Sequence, residues 1–339
     1  MGFQWNSTGE MFWRAQLWRI VLSLGLGALS SFARGQCVTT TDVSGGLAGT
    51  APSWSVNLIY DADAERCVAI DQSVANSNFV AISAYDGLSW IPLAQTGAIP
   101  AGPRYGGVWI YDSARHVGLL FSGALNCVNC VKTNTLYALS GSNWQQLTWT
   151  GVSPPESYGA FGAFDPNRGR AIFLTAGPTT PLNHLETWEW TGTAWEQGPT
   201  FGPVRIGEFV FDARRNRGFL YGNTSDDFED VWYYIPGPTA AQGVWQQQAI
   251  TGTPYEAVIG ANLVYDPIRA RTLRCFGRYA SNIYSYLPTI EVWNWNTSTF
   301  DRLDYSDDLP FGARRGPCGI AYDTNRDTLV IFGGARVDQ

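Results

Sequence analysis

The same short phrase occurs six times along this chain of 339 residues. Each copy is an apolar strand that ends in an aromatic residue, followed by an aspartate, a turn with basic residues and a second apolar strand. Successive copies lie 51, 53, 47, 54 and 57 residues apart. Strand-like units that repeat at a period near fifty predict a radial all-β fold, a six-bladed β-propeller. The aspartates that mark the copies are Asp61, Asp112, Asp165, Asp212, Asp266 and Asp323.

The repeat fills the chain from about residue 51 to residue 335, so we expect a single domain over residues 36–339. Aromatic residues make up 14% of the chain, which suits strands because rings pack well on a pleated surface. The net charge is −7 and Lys132 is the one lysine. Because nucleic-acid binding needs clustered Lys and Arg, we expect no nucleic-acid partner.

The amino-terminal 35 residues have the pattern of a secretory signal peptide. Two arginines precede a short apolar run, and Ala33-Arg34-Gly35 is a small-x-small cleavage site. About ten apolar residues are too few to span a bilayer, which takes about 20. We therefore expect a secreted or periplasmic, cell-envelope protein with no membrane span after cleavage. Met11 is an alternative start, since residues 1–10 add nothing to the signal.

Six cysteines in an exported chain predict disulfides. Cys127 and Cys130 lie in one loop, where a local disulfide is favoured over a redox-active pair. The antiparallel order of strands brings Cys275 and Cys318 to one end of neighbouring blades, and Cys37 and Cys67 to the other end. We predict these pairings, although the sequence alone does not fix the connectivity.

The repeated aspartates have a structural explanation. An aspartate carboxylate accepts hydrogen bonds from backbone amides two or three residues further on, which fixes a tight turn. Five copies carry an arginine three residues after the aspartate, where the two side chains can pair; blade 1 has Ala64 there and Arg66 nearby. We therefore interpret the repeated charges as turn supports and predict no catalytic residues among them.

The strand order predicted for each blade is inner strand, second strand, third strand and outer strand. Tryptophans recur on the third and outer strands, as in Trp188-Glu189-Trp190, whose alternation places both indoles on one face. Residues 37–47 match the outer-strand phrase and are predicted to close blade 6. No third strand follows Phe332-Gly333-Gly334, so either blade 6 has three strands or the chain is truncated.

With these motifs in register, the chain resembles the kelch-type propellers, which include the central domain of galactose oxidase, particularly the exported bacterial kind. Phe332-Gly333-Gly334 matches the glycine doublet of that family, and Trp188 with Trp195 matches its paired aromatics. The doublet is degenerate in the other copies. The resemblance covers about residues 51–335. It implies a propeller that acts in most cases as a binding scaffold and in a minority as an enzyme.

Enzyme chemistry finds little support in the residue types. Copper-radical oxidases of the resembled family need several His and Tyr ligands, but His116 and His184 are the two histidines here and are predicted at opposite mouths of the disc. No phosphate-binding loop or nucleophile elbow is visible. We expect no cofactor and no metal. The acidic stretch 226–230 could supply oxygen ligands to calcium, but a solvated loop is the favoured interpretation.

Loops between second and third strands, and the crossings between blades, share one mouth of the disc, where a ligand is expected. Tyr and Arg, which are enriched in binding hot spots, recur there. The predicted ligand-binding residues are Arg104, Tyr105, Tyr158, His184, Arg205, Asp226, Asp227, Arg278, Tyr279, Tyr284, Arg314 and Arg315.

Two functions fit this surface. The first is a monomeric, non-catalytic binding scaffold for a protein or glycan ligand. The second is a carbohydrate-active enzyme of the epimerase or lyase type, which uses arginine and acidic groups of the central channel. The enzyme needs an acid and a base close together at the channel mouth, whereas the scaffold needs an aromatic, polar rim. The scarcity of histidine favours the scaffold.

Overall fold

The protein is an all-β propeller, described here from a computed structural model. The structure describes residues 18–21, 39–42, 56–71, 79–102, 104–125, 131–176, 185–199, 207–223, 229–250, 258–259, 261–279, 289–303 and 318–332. Within these residues the single helix is a 3-10 turn over Ala240–Gln242. No helix found there has the length and apolar character needed to cross a membrane.

The first two strands are β1 (Trp18–Val21) and β2 (Thr39–Asp42), which pair with each other, and β1 also pairs with a strand from the far end of the chain. Blade 1 contains β3 (Val56–Asp61), β4 (Arg66–Asp71), β5 (Ala81–Tyr85) and β6 (Trp90–Pro92). Blade 2 contains β7 (Thr96–Gly97), β8 (Val108–Asp112), β9 (Val117–Phe121), β10 (Leu136–Ser140) and β11 (Asn143–Leu147). In blade 2, β7 adds a parallel edge beside β11.

Blades 3 to 5 repeat the same antiparallel order. Blade 3 contains β12 (Phe161–Asp165), β13 (Arg170–Ala176), β14 (Leu185–Trp190) and β15 (Trp195–Gln197). Blade 4 contains β16 (Gly207–Asp212), β17 (Arg217–Asn223), β18 (Glu229–Ile235) and β19 (Val244–Gln248). Two short strands, β20 (Val258–Ile259) and β23 (Arg278–Tyr279), pair beside blade 5, whose four strands are β21 (Asn262–Asp266), β22 (Arg271–Cys275), β24 (Ile290–Asn294) and β25 (Thr299–Arg302).

A closing sheet joins the two ends of the chain. It has the order β2, β1, β27 (Thr328–Phe332) and β26 (Gly319–Asp323). Five blades are thus complete within one continuous stretch, where the sequence predicted six. The expectation that residues 37–47 supply an outer strand is confirmed by β2. The third strand of the closing sheet, for which the sequence after Phe332 offered no candidate, is β1. This strand lies inside the predicted signal peptide. Cleavage after residue 35 would therefore remove the strand between β27 and β2.

The hydrophobic core lies between the blades. Six clusters of buried side chains each join two neighbouring units, and the clusters of the closing sheet contact blade 5 on one side and blade 1 on the other. The predicted role of the tryptophans is confirmed: Trp188, Trp190 and Trp195 all pack toward blade 2. Glu189, which alternates with them, faces blade 4 instead. The inner strands therefore stand side by side around a central channel.

The turn that follows each inner strand confirms the structural role of the marker aspartates. In each of five turns the carboxylate accepts hydrogen bonds from the turn amides and pairs with the arginine three residues on, at 2.6–3.2 Å. In blade 1, Asp61 pairs with Arg66 at 3.7 Å. The residue after the arginine position has a positive φ of 48–65° in all six turns. This repeated geometry fixes the turns at the ends of the inner strands, and we call this end of the disc the lower rim.

The same arginines also link one unit to the next. Arg115 donates to the Gly169 carbonyl at 3.0 Å, and Arg215 donates to the Ala270 carbonyl at 2.8 Å. Arg326, from the closing sheet, donates to the Glu65 carbonyl of blade 1 at 2.7 Å. Because the last contact repeats the geometry of the others, the closing sheet docks on blade 1 as one blade docks on another.

Candidate functional site

The central channel holds a cavity of about 500 Å³, which is the size range of ligand sites. All six inner strands line it. Tyrosine and phenylalanine rings that precede the marker aspartates lie near the lower rim, where Tyr60 accepts a hydrogen bond from the Asn325 amide of the neighbouring turn. The opposite end of the channel is formed by the residues four positions before each aspartate: Asn57, Val108, Phe161, Glu208, Asn262 and Gly319. We call this end the channel mouth.

Two of the three polar side chains at the channel mouth already have partners. The Asn57 amide donates to the Gly107 carbonyl of the next blade at 2.9 Å. The Asn262 amide donates to Cys318 Sγ at 3.5 Å, again across a junction between neighbouring units. These amides therefore join adjacent inner strands at the point where the channel opens.

Glu208 occupies the same position on blade 4, but its carboxyl has no hydrogen-bond or ion-pair partner among the described residues. It is half-buried, with its free surface facing the channel. Loss of hydration inside the channel raises the pKa of this carboxyl to about 8, since burial penalises the charged form. Across the sheet it lies opposite Tyr221, which accepts a hydrogen bond from Arg274. Glu208 is thus the chemically unusual group of the site.

Sequence reasoning missed Glu208. Aligning the six copies on their aspartates would have placed one acid among Asn, Val, Phe, Asn and Gly, which is a visible signal. The alignment gives no indication that the other acids find arginine partners while this one does not.

The predicted site residues fall into three groups. Arg104 is buried, and its guanidinium donates to the Ala101 carbonyl and to the hydroxyls of Thr133 and Thr135 at 2.7–2.8 Å. Burial lowers the pKa of Arg104. Its contacts are those of a packing residue, and a role in ligand binding stays a prediction. The residues outside the described part of the chain are His184, Arg205, Asp226, Asp227, Tyr284, Arg314 and Arg315.

The remaining predicted residues lie around the blade 2 and blade 5 rims. Tyr105 is half-buried, and its amide donates to the Ala124 carbonyl. Tyr158 is half exposed, with the Lys132 ammonium 5.2 Å from its ring centre. The backbone of Arg278 and Tyr279 forms β23. The structure therefore brings Tyr105 and Tyr158 to one rim and does not test what they bind.

No disulfide links Cys275 to Cys318 in this structure, and their pairing stays a prediction. Both residues are buried in one core cluster, as the predicted strand order requires. Burial raises the pKa of the Cys275 thiol well above its ordinary value, and the neighbouring Cys318 adds to the effect. Cys67 is also a buried free thiol. Its proposed partner Cys37, like Cys127 and Cys130, lies outside the described residues.

Two further expectations concern charged groups. His116 is exposed on the lower rim, and its ring nitrogen lies 2.8 Å from the Asp63 carboxylate. Of the acidic stretch considered for calcium, the side chain of Asp230 is described, and it accepts a hydrogen bond from Gln247. The calcium alternative is therefore not tested.

No protein-family model matches the chain, and no curated protein matches it in sequence. The fold is similar to the structure of YjhT, with a TM-score of 0.57 and 14% identity over 84% of this chain and 95% of that chain. It is also similar to a fungal alcohol oxidase of the AA5 family, solved in complex with copper, with a TM-score of 0.49 and 13% identity over 82% of this chain and 62% of that chain. TolB from Acinetobacter baumannii has a TM-score of 0.49 and 9% identity over 96% of this chain and 65% of that chain. Identities this low show the fold alone, and that fold is a β-propeller.

Proposed function

We propose that this protein is an exported, kelch-type propeller of six blades that binds a protein or glycan ligand at the channel mouth without catalysing a reaction. The observation that carries the proposal is the open cavity, with one unpartnered carboxyl, Glu208, at a mouth shared with two amides and Phe161, and with further aromatic rings deeper along the channel. Such a mixture of apolar walls and few polar groups is typical of recognition sites.

Catalysis by the channel is the second candidate, and one observation favours it. A carboxyl with a pKa of about 8 can act as a general acid near neutral pH. Epimerase or lyase chemistry also needs a base beside that acid. Among the described residues that line the channel, Glu208 is the one carboxyl, and none is Lys, Arg or His. Binding therefore accounts for more of the site than catalysis does.

Export is part of the proposal and is supported by the signal-like pattern of residues 1–35. Export with cleavage predicts a mature chain that begins at Gln36 and lacks β1. Mass spectrometry of the exported protein tests this prediction, and an intact amino terminus containing β1 would contradict it.

Filling the channel mouth is expected to weaken ligand binding by at least about tenfold, because two added rings exclude the ligand from the cavity. The variant combines Asn57→Tyr with Phe161→Trp. Glycan and peptide arrays probed with the wild-type protein supply the ligand, and its affinity is then measured by calorimetry. Asn57→Ala is the matched control, since it removes the same hydrogen bond to Gly107 without filling space. If the filled variant binds as tightly as the control, the ligand does not enter the mouth.

A further inference from the structure

We propose that Glu208 anchors a cationic group of the ligand, an ammonium or guanidinium, at the channel mouth. This inference rests on the proposed function and adds the chemical class of the group that is recognised. It concerns a Lys or Arg side chain, or an amino group, presented by a ligand from outside the chain.

The fully buried acids among the described residues differ from Glu208 in having arginine partners. Seven carboxylates of the described residues are buried, and each lies within 3.2 Å of an arginine nitrogen. This is the expected arrangement, because a carboxylate removed from water needs a compensating charge. The seven are Asp112, Asp165, Glu189, Asp212, Asp266, Glu291 and Asp323.

No Arg, Lys or His among the described residues pairs with the Glu208 carboxyl. Arg274 donates to the hydroxyl of Tyr221, the residue opposite Glu208, at 2.7 Å and is bound to Glu291 at 2.7 Å. Cys318, which also lines the mouth, accepts the Asn262 hydrogen bond at its Sγ. We therefore infer that a cationic group of the ligand pairs with Glu208.

The walls of the channel are suited to a cation as well. Tyr60, Tyr111, Phe161, Phe164 and Tyr265 line the cavity. The faces of aromatic rings attract cations, most strongly where water is excluded. Phe161 lies at the channel mouth, at the same level as Glu208, while the other four rings lie toward the lower rim. An aliphatic stem that ends in an ammonium group would thus place its tip at the Glu208 carboxylate and its methylene groups against Phe161. A neutral sugar would use the rings but would leave Glu208 protonated, which separates the two ligand types experimentally.

The test uses the full chain and two probes, Nα-acetyl-lysine amide and Nα-acetyl-norleucine amide, an uncharged analogue that has the four side-chain carbons and lacks the ammonium group. Binding is followed through the ¹³C resonance of the Glu208 carboxyl. We expect the lysine probe to bind and to lower the pKa of Glu208, while the norleucine probe leaves the resonance unchanged. In Glu208→Gln the affinity for the lysine probe should fall about ten- to hundredfold, because a charged hydrogen bond is lost. Glu208→Asp, which keeps the negative charge, should retain part of the affinity for the lysine probe.

Failure of this inference is distinguishable from failure of the proposed function. If the wild-type protein does not bind the lysine probe, or Glu208→Gln binds it equally well, the cation is not what Glu208 recognises. If a ligand from the arrays is excluded by the filled mouth but binds Glu208→Gln normally, the binding function stands and the cationic inference falls. If that ligand binds both the filled-mouth variant and Glu208→Gln with wild-type affinity, the proposed function itself is wrong.

Discussion

Replacing Arg168 by alanine is expected to lower the free energy of unfolding by about 3–5 kcal/mol, because it leaves the buried Asp165 carboxylate without its arginine and removes one of the two arginines that pair with the buried Glu189. Arg168 donates to Asp165 at 2.6 Å and to both oxygens of Glu189 at 2.7 and 3.0 Å, and neither carboxylate is exposed. It also donates to the Gly237 carbonyl, so it ties the turn of blade 3 to blade 4. Arg170 stays on Glu189 in the variant but reaches neither Asp165 nor Gly237 in the described contacts.

Chemical denaturation of wild-type protein and variant measures this loss. The matched control is Arg214→Ala, since Arg214 lies in the equivalent turn of blade 4 with an exposed side chain. An exposed arginine without such contacts should cost no more than about 0.5 kcal/mol. Equal losses in the two variants would show that the carboxylates rehydrate and that the arginine does not hold the blades together.

The second large effect is expected at the buried pair of Arg274 and Glu291. Arg274 donates to Glu291 at 2.7 Å, and its guanidinium lies 3.9 Å from the Phe300 ring centre. Arg274→Met leaves Glu291 buried without a partner, which should cost about 3–5 kcal/mol. Replacing both residues, with Glu291→Leu added, should recover most of that loss, because an apolar pair of similar volume needs no compensating charge.

A double-mutant cycle in denaturant gives the coupling energy of this pair. The account predicts that the double variant is more stable than the Arg274→Met single variant. A double variant whose loss equals the sum of the two single losses would mean that the pair contributes packing and no charge compensation. The Tyr221 hydroxyl, which loses its Arg274 donor in either variant, is the same in both and does not affect the comparison.

Local features of the fold were predictable because they repeat. The pairing of Asp165 with Arg168 and the inward face of Trp188 both follow from spacing within one blade. What spacing cannot give is the partner contributed by a neighbouring blade or loop. For Arg104 these partners are Thr133 and Thr135, which lie about 30 residues further along the chain, and its role in ligand binding stays a prediction. Likewise β1 fills the closing sheet from a segment whose composition predicts a signal peptide.

The candidate site was predictable as a place and not as a set of residues. Antiparallel strand order places the ends of the second strands beside the starts of the inner strands, which is the end of the channel that holds Glu208. The chemistry there depends on which carboxyl has no donor, and that is a property of three-dimensional packing. Glu208 differs from Glu189 in its surroundings and not in its sequence pattern, since each lies on a regular strand.

The most direct test of the account is the pKa of Glu208 in the unliganded protein, measured by ¹³C NMR titration with the resonance assigned from Glu208→Gln. The account predicts a value of about 8, because the carboxyl is desolvated and unpartnered inside the channel. Between the ordinary range of a glutamate, near 4.5, and this value, the folded protein holds a proton that the unfolded chain releases, so Glu208 should reduce stability as the pH rises through that window. A value near 4.5 would show a hydrated or already paired carboxyl and would contradict the assignment of the channel mouth as an open charge-binding site.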